Sequence, residues 1–129
     1  MILLSLNLRG VEGSHKLASV RHLFHQYHSE ILFFQENLVD ELLARSFLHS
    51  LKPEWYSAAI SSDGRSGGLL VAWDTKKFDL RHFVCCGGLL CNGYSFELKL
   101  QLSFLNIYGS CTNRKEFWQK VKDHGLLFY

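Results

Sequence analysis

The stretch Ile31-Leu32-Phe33-Phe34-Gln35-Glu36 decides how this chain is read. Four consecutive apolar residues, β-branched and aromatic among them, fit a strand buried on both faces. The run then ends on a carboxamide and a carboxylate. In open α/β sheets, ligands are met just outside the carboxyl ends of strands. Glu36 therefore stands where a metal or a substrate would arrive. Ile2-Leu3-Leu4-Ser5-Leu6 repeats the pattern and ends on Asn7, with Arg9-Gly10 behind it. If the two strands are parallel neighbours, Asn7 and Glu36 leave the sheet side by side.

The segment between them supports that arrangement. Gly10 to Ser14 reads as a loop, and Ser14 is an N-cap for a helix running to about His28. Leu17, Val20, Leu23, Phe24 and Tyr27 recur at spacings of three and four and form one apolar face. Strand, helix and strand within 36 residues make a βαβ unit, whose strands are expected to be parallel and its crossover right-handed. His22 and His25 fall opposite the apolar face, in solvent. His28 lies in the last turn, where a partial positive charge suits the helix dipole. The histidines are therefore read as solvated rather than as a metal cluster.

Further along, Asn37 to His49 reads as a second amphipathic helix and Trp55 to Ile60 as a strand. Ser61 to Gly68 is rich in turn residues and reads as a loop. Leu69 to Trp73 is a third buried strand, and Phe78 to Cys85, which alternates weakly, reads as another strand. Gly87 to Gly93 reads as a turn region. Tyr94 to Leu100 alternates as a half-exposed strand would, with a tight turn near Gln101 and a partner strand from Leu102 to Tyr108. Asn113 caps a final helix with Phe117, Val121 and Trp118 facing inward. A new apolar run opens after Gly125.

Composition bounds the class. The chain has 129 residues, one domain at most, with a 47% hydrophobic fraction that favours a globular fold over disorder. Its net charge of +2 does not by itself argue for nucleic acid or a membrane surface. The start of the chain lacks the basic leader of a signal peptide, and no run reaches the ~18 apolar residues of a membrane span. The reading is therefore an intracellular protein, nuclear or cytoplasmic, whose Cys85, Cys86, Cys91 and Cys111 are reduced thiols. Their spacing does not match a zinc site.

Three places could carry chemistry. Asn7 and Glu36 offer hard oxygen donors suited to Mg²⁺ or Mn²⁺; alternatively Asn7 caps a loop and Glu36 starts the next helix, where an acid favours the dipole. Gly64-Arg65-Ser66-Gly67-Gly68 could present N–H groups and a guanidinium to a phosphate, or be a plain turn. Tyr108, at a strand end before Gly109, could bond a phosphate or simply pack its ring. Neither a dinucleotide fingerprint nor a P-loop occurs.

Together, Leu4-Ser5-Leu6-Asn7-Leu8-Arg9-Gly10, Ile31 to Glu36, Gly64 to Trp73 and Asn106-Ile107-Tyr108-Gly109 resemble the endonuclease/exonuclease/phosphatase superfamily. The resemblance is to the apurinic-type endonuclease domains that precede reverse transcriptases in plant LINE-type retroelements. It implies an α/β fold, a four-layer sandwich of two mixed sheets flanked by helices, with residues 1–129 as a truncated, N-terminal half of the domain. It implies Mg²⁺-assisted phosphodiester hydrolysis on DNA. In that scheme Glu36 is the metal carboxylate, Asn7 orients metal or phosphate, Tyr108 contacts the scissile phosphate, and Arg65 and Ser66 lie near the nucleic-acid backbone.

Departures from the family pattern set further expectations. Leu6 replaces the usual Trp, Asn37 the usual Thr, and Ser110-Cys111 the usual Pro-Asn. The Gly-Asp-Phe-Asn and Ser-Asp-His motifs, which would supply the water-activating Asp, its Asn partner and the phosphate-paired His, do not occur in these residues. The chain alone is therefore expected to hold Mg²⁺ weakly, to lack nuclease activity, and to self-associate through the surface the other half would cover. Two alternatives remain at this point: a non-catalytic module binding nucleic acid or protein, and a non-functional retroelement remnant.

Overall fold

The structure, a computed structural model, describes residues 1–8, 14–35, 41–63, 66–85, 88–107 and 114–123. In chain order the elements are β1 (Leu3–Asn7), α1 (Ser14–Tyr27), β2 (Ile31–Gln35), α2 (Glu41–Leu51), β3 (Tyr56–Asp63), β4 (Ser66–Trp73), β5 (Phe78–Cys85), β6 (Gly88–Ser95), β7 (Leu100–Ile107) and α3 (Arg114–Asp123). They build two sheets, β1-β2-β4-β3 and β5-β6-β7. The architecture is a partial α/β sandwich of the expected kind.

β1 and β2 are parallel, with Leu3 opposite Ile31 and Asn7 opposite Gln35. A parallel pair needs a crossover, and α1 supplies it. Strand alternation then divides the core in two. Ile31, Phe33, Val71, Trp73, Phe78 and Leu89 fill the gap between the sheets, with Leu3, Leu102 and Phe104 at its margin. Leu32, Phe34, Leu70 and Ala72 face the other way, against Val20, Phe24, Ala44 and Leu48 of the helices. β2 is buried on both faces for this reason, which is why its sequence is a continuous apolar run rather than an alternation. Each large side chain removed from water there stabilises the fold by about 1.5–3 kcal/mol.

Four readings of the sequence need correction. The loop expected from Ser61 to Gly68 is mostly strand: β3 continues to Asp63 and β4 begins at Ser66, paired with each other at that point. Gly68 takes φ 83° there, a conformation that glycine reaches without strain. The turn expected from Gly87 to Gly93 is instead β6, a central strand. Gly93 is needed in it, because a Cβ would lie 1.9 Å from the Asp79 carbonyl oxygen of β5. The strand expected from Tyr94 to Leu100 contains the turn. Lys99 N–H donates to the Ser95 carbonyl at 2.9 Å, the Leu98 N–H to Ser95 Oγ at 3.2 Å, and Lys99 takes φ 56°. Local hydrogen bonding outweighs the alternation. Trp118, expected to face inward, is 47% exposed. His22 and His25 are exposed, as their helical positions predict; His28, expected in the last turn, instead follows the end of α1 with φ 51° and is exposed too.

At the amino end of β2, Lys77 Nζ donates to Glu30 Oε1 at 3.1 Å. That hydrogen bond and the carboxylate charge hold the Lys77 ammonium above the ordinary lysine value. The Asp74 N–H donates to the Glu30 carbonyl, which ties the chain leaving β4 to the start of β2.

Candidate functional site at the strand ends

The carboxyl ends of three strands meet at one rim. β1 and β2 are in register up to Asn7 and Gln35, and the Leu8 N–H donates to the Gln35 carbonyl at 3.0 Å, one residue further. Asn7 is exposed there. β7 arrives at the same rim from the other sheet. Phe104 stacks edge-on against Phe33 at 6.3 Å, and Asn106 reaches Gln35, so β7 runs in the same sense as β2.

Asn106 closes the corner. It is 1% exposed, and its carboxamide is fully used. Nδ2 donates to the carbonyls of Phe34 at 3.1 Å and Leu70 at 2.9 Å, while Oδ1 accepts from Gln35 Nε2 at 2.6 Å. Gln35 Nε2 also donates to Ser5 Oγ at 3.1 Å. One chain of polar contacts therefore runs from β1 through β2 to β7, and it includes β4. A buried amide with every donor and acceptor satisfied fixes its neighbours rather than destabilising them.

β4 is antiparallel to β2, and Leu69 lies opposite Gln35. Ser66 and Gly67, which precede it, therefore extend past the end of β2 at this rim. Lys16, in the first turn of α1, adds a cation: its Nζ donates to the Leu8 carbonyl at 2.7 Å.

Of the residues singled out from sequence, Asn7 is placed on the rim itself, and the backbone of Ser66 on the strand that overhangs it. Glu36, Arg65 and Tyr108 lie outside the described residues. Their chain neighbours Gln35, Ser66 and Ile107 are all strand-terminal residues at this rim. Among the described residues, no group of three His, Cys, Asp or Glu side chains is arranged to hold a metal. Sequence reasoning missed the joining role of Asn106. The available signal was a carboxamide in a strand otherwise reading Leu102-Ser103-Phe104-Leu105-Asn106-Ile107, at a position facing the core.

The same arrangement of strands is found in solved structures. The AP endonuclease LMAP from Leishmania major superposes with a TM-score of 0.67 at 10% identity, over 95% of this chain and 44% of that one. Humanized D. rerio TDP2 superposes with a TM-score of 0.64 at 13% identity, over 95% and 56%. The human Nocturnin catalytic domain gives 0.52 at 13% identity, over 80% and 48%. The fold is that of the endonuclease/exonuclease/phosphatase enzymes. This chain spans about half the length of the enzymes it matches. No protein-family model and no curated protein matches the sequence. Within the described residues no helix is long and apolar enough to cross a membrane.

Proposed function

We propose that this chain is the amino-terminal half of a Mg²⁺-dependent phosphodiesterase of the DNA-endonuclease type, derived from a retroelement. The observation that carries the reading is the parallel register of β1 and β2. It brings Asn7 beside Gln35 at one rim, and Glu36 is the next residue in the sequence.

The donor chemistry fits the metal. A carboxamide oxygen and a carboxylate are hard ligands, and Mg²⁺ keeps several waters beside one or two carboxylates and substrate phosphate. Glu36 would hold the ion and Asn7 would orient it or the phosphate. When bound, it would polarise the phosphoryl oxygens and stabilise developing charge. Tyr108 would hydrogen-bond the scissile phosphate. Arg65 and Ser66 would meet the backbone of the nucleic acid. The Ser5–Gln35–Asn106 contacts support the reading because they keep the ends of β1, β2 and β7 at a fixed separation, as a positioned phosphate requires.

These residues include no base for the attacking water, so one half holds a ligand set without a complete reaction. The test is Mn²⁺ titration of the 129-residue chain followed by NMR. Selective broadening of the Asn7 side-chain amide, lost in Glu36→Gln, is the expected result. Broadening that ignores Glu36→Gln, or spares Asn7, overturns the reading.

A further inference from the structure

The amino end of β2 holds a second polar pocket, away from the rim. Glu30 and Gln35 stand at its two ends, about 17 Å apart along an extended strand. Four parts of the chain converge at Glu30: the carboxyl end of α1, the residues entering β2, the segment between α2 and β3, and the connection between β4 and β5. They line a pocket of about 200 Å³. That is below the roughly 300–1,000 Å³ of sites for drug-sized molecules, so an occupant must be small.

Its walls carry polar groups that the fold leaves without partners. Ser29 is 7% exposed, and its Oγ has no hydrogen-bond partner among the described residues. Glu30 gives Oε1 to Lys77 at 3.1 Å, while its buried Oε2 meets no donor there. Buried polar atoms are ordinarily bonded, and a carboxylate oxygen left unbonded is costly. Lys52 is the complementary case. Its Nζ lies 5.9 Å from the ring centroids of Phe24 and Trp55, and among the described residues it pairs with no carboxylate. Acid and base line one pocket without reaching each other.

The two signs also sit on different walls. The Asp74 N–H donates to the Glu30 carbonyl, which sets both acids on the side of the sheet. Lys77 neutralises one of the two. Lys52 follows α2, with its N–H on the Leu48 carbonyl. His25 and His28 add ring nitrogens from the α1 side, able to donate or accept.

We propose that this pocket binds a small zwitterion, an α-amino acid with a short side chain. Its ammonium donates to Glu30 Oε2 and Ser29 Oγ, and its carboxylate accepts from Lys52. A lone cation leaves Lys52 opposed, and a lone anion faces Glu30 and Asp74. Only a molecule carrying both charges satisfies both walls. The inference rests on groups at the amino end of β2 and stands apart from the catalytic reading at the other end.

Amide NMR of the isotope-labelled 129-residue chain, titrated with glycine and with L-alanine, tests it. The expected result is saturable shifts of the Ser29 and Glu30 amides, with those of Asn7 and Gln35 unmoved. Methylammonium and acetate, which carry one charge each, should give no saturable shift at the same concentrations. Glu30→Gln keeps the shape and an acceptor for Lys77 but removes the charge. Lys52→Met keeps the stem over the rings but removes the ammonium. Each should raise the dissociation constant roughly tenfold or more. Should one variant fail to give a cooperative melt, the other decides. If neither amino acid saturates, the inference is overturned and the pocket holds water, which can also bridge Ser29 and Glu30. Equal saturation by methylammonium or acetate overturns it as well, as does binding that ignores both substitutions.

Discussion

Asn106 of β7 accepts a hydrogen bond from Gln35 of β2 at 2.6 Å, across the gap between the two sheets. The same carboxamide donates to the carbonyls of Phe34 and Leu70. Asn106→Ala removes all three contacts and leaves buried partners without a bond. The expected loss is about 2–4 kcal/mol of stability, larger than a solvent-exposed Asn would give. Asn106→Leu keeps the volume but not the bonds and should be nearly as damaging. Chemical denaturation of the two variants checks both expectations.

Gly93 is fixed by contact rather than by conformation. A methyl group there would meet the Asp79 carbonyl oxygen at 1.9 Å and the Leu80 Cα at 2.7 Å, both backbone atoms. β5 and β6 would have to part. Gly93→Ala should cost ~3 kcal/mol, whereas Ala placed at exposed Ser103 of β7 should change stability little. Paired thermal melts measure the contrast.

Burial pushes the Cys91 thiol up to about 12, from an ordinary value of 9.0. Below pH 9 neither the folded nor the unfolded chain ionises it, and its contribution is fully present. Above that, only the unfolded chain loses the proton. Stability should then fall by about 1.4 kcal/mol per pH unit as pH rises towards 12. Cys91→Ala should flatten that alkaline fall, read by urea denaturation at several pH values. The native thiol should also resist alkylation while the unfolded one reacts.

Catalysis by the 129-residue chain should be absent. If Glu36 is a metal ligand and Tyr108 and Arg65 phosphate contacts, as proposed, with no base beside them, the 129-residue chain should not nick supercoiled plasmid in Mg²⁺. Nicking that disappears in Glu36→Ala would show that these residues already contain a complete site. Mg²⁺ affinity should be weak, in the millimolar range expected of one carboxylate and one amide without substrate; calorimetric titration measures it.

Much of the fold was legible because β2 and β4 are buried on both faces. A strand in that position has to be a continuous apolar run, and Ile31 to Phe34 and Leu69 to Trp73 are such runs. The β1–α1–β2 unit followed from helical periodicity and chain length. The second sheet was misread because its signals conflict. Tyr94 to Leu100 alternates by composition, yet Ser95 and Lys99 close a turn within it. Gly87 to Gly93 reads as a turn region, yet Gly93 is where two backbones come too close for a side chain. The rim was read as the meeting of Asn7 and Glu36; the structure sets Asn7 beside Gln35, and Glu36 lies outside the described residues. The joining role of Asn106 was not legible, since nothing in a strand sequence says which strand of another sheet lies across from it.

The Asn106 contacts also set an order of opening. They join β2, β4 and β7 at one corner, while at the opposite edge Arg81, His82, Phe83 and Val84 of β5 lie in solvent. Water that works its way between the layers therefore enters from the β5 side. Backbone deuterium should appear in β5 within the early part of an exchange time course. Phe34 and Leu70 should be among the last to take it up, released only when the whole molecule unfolds.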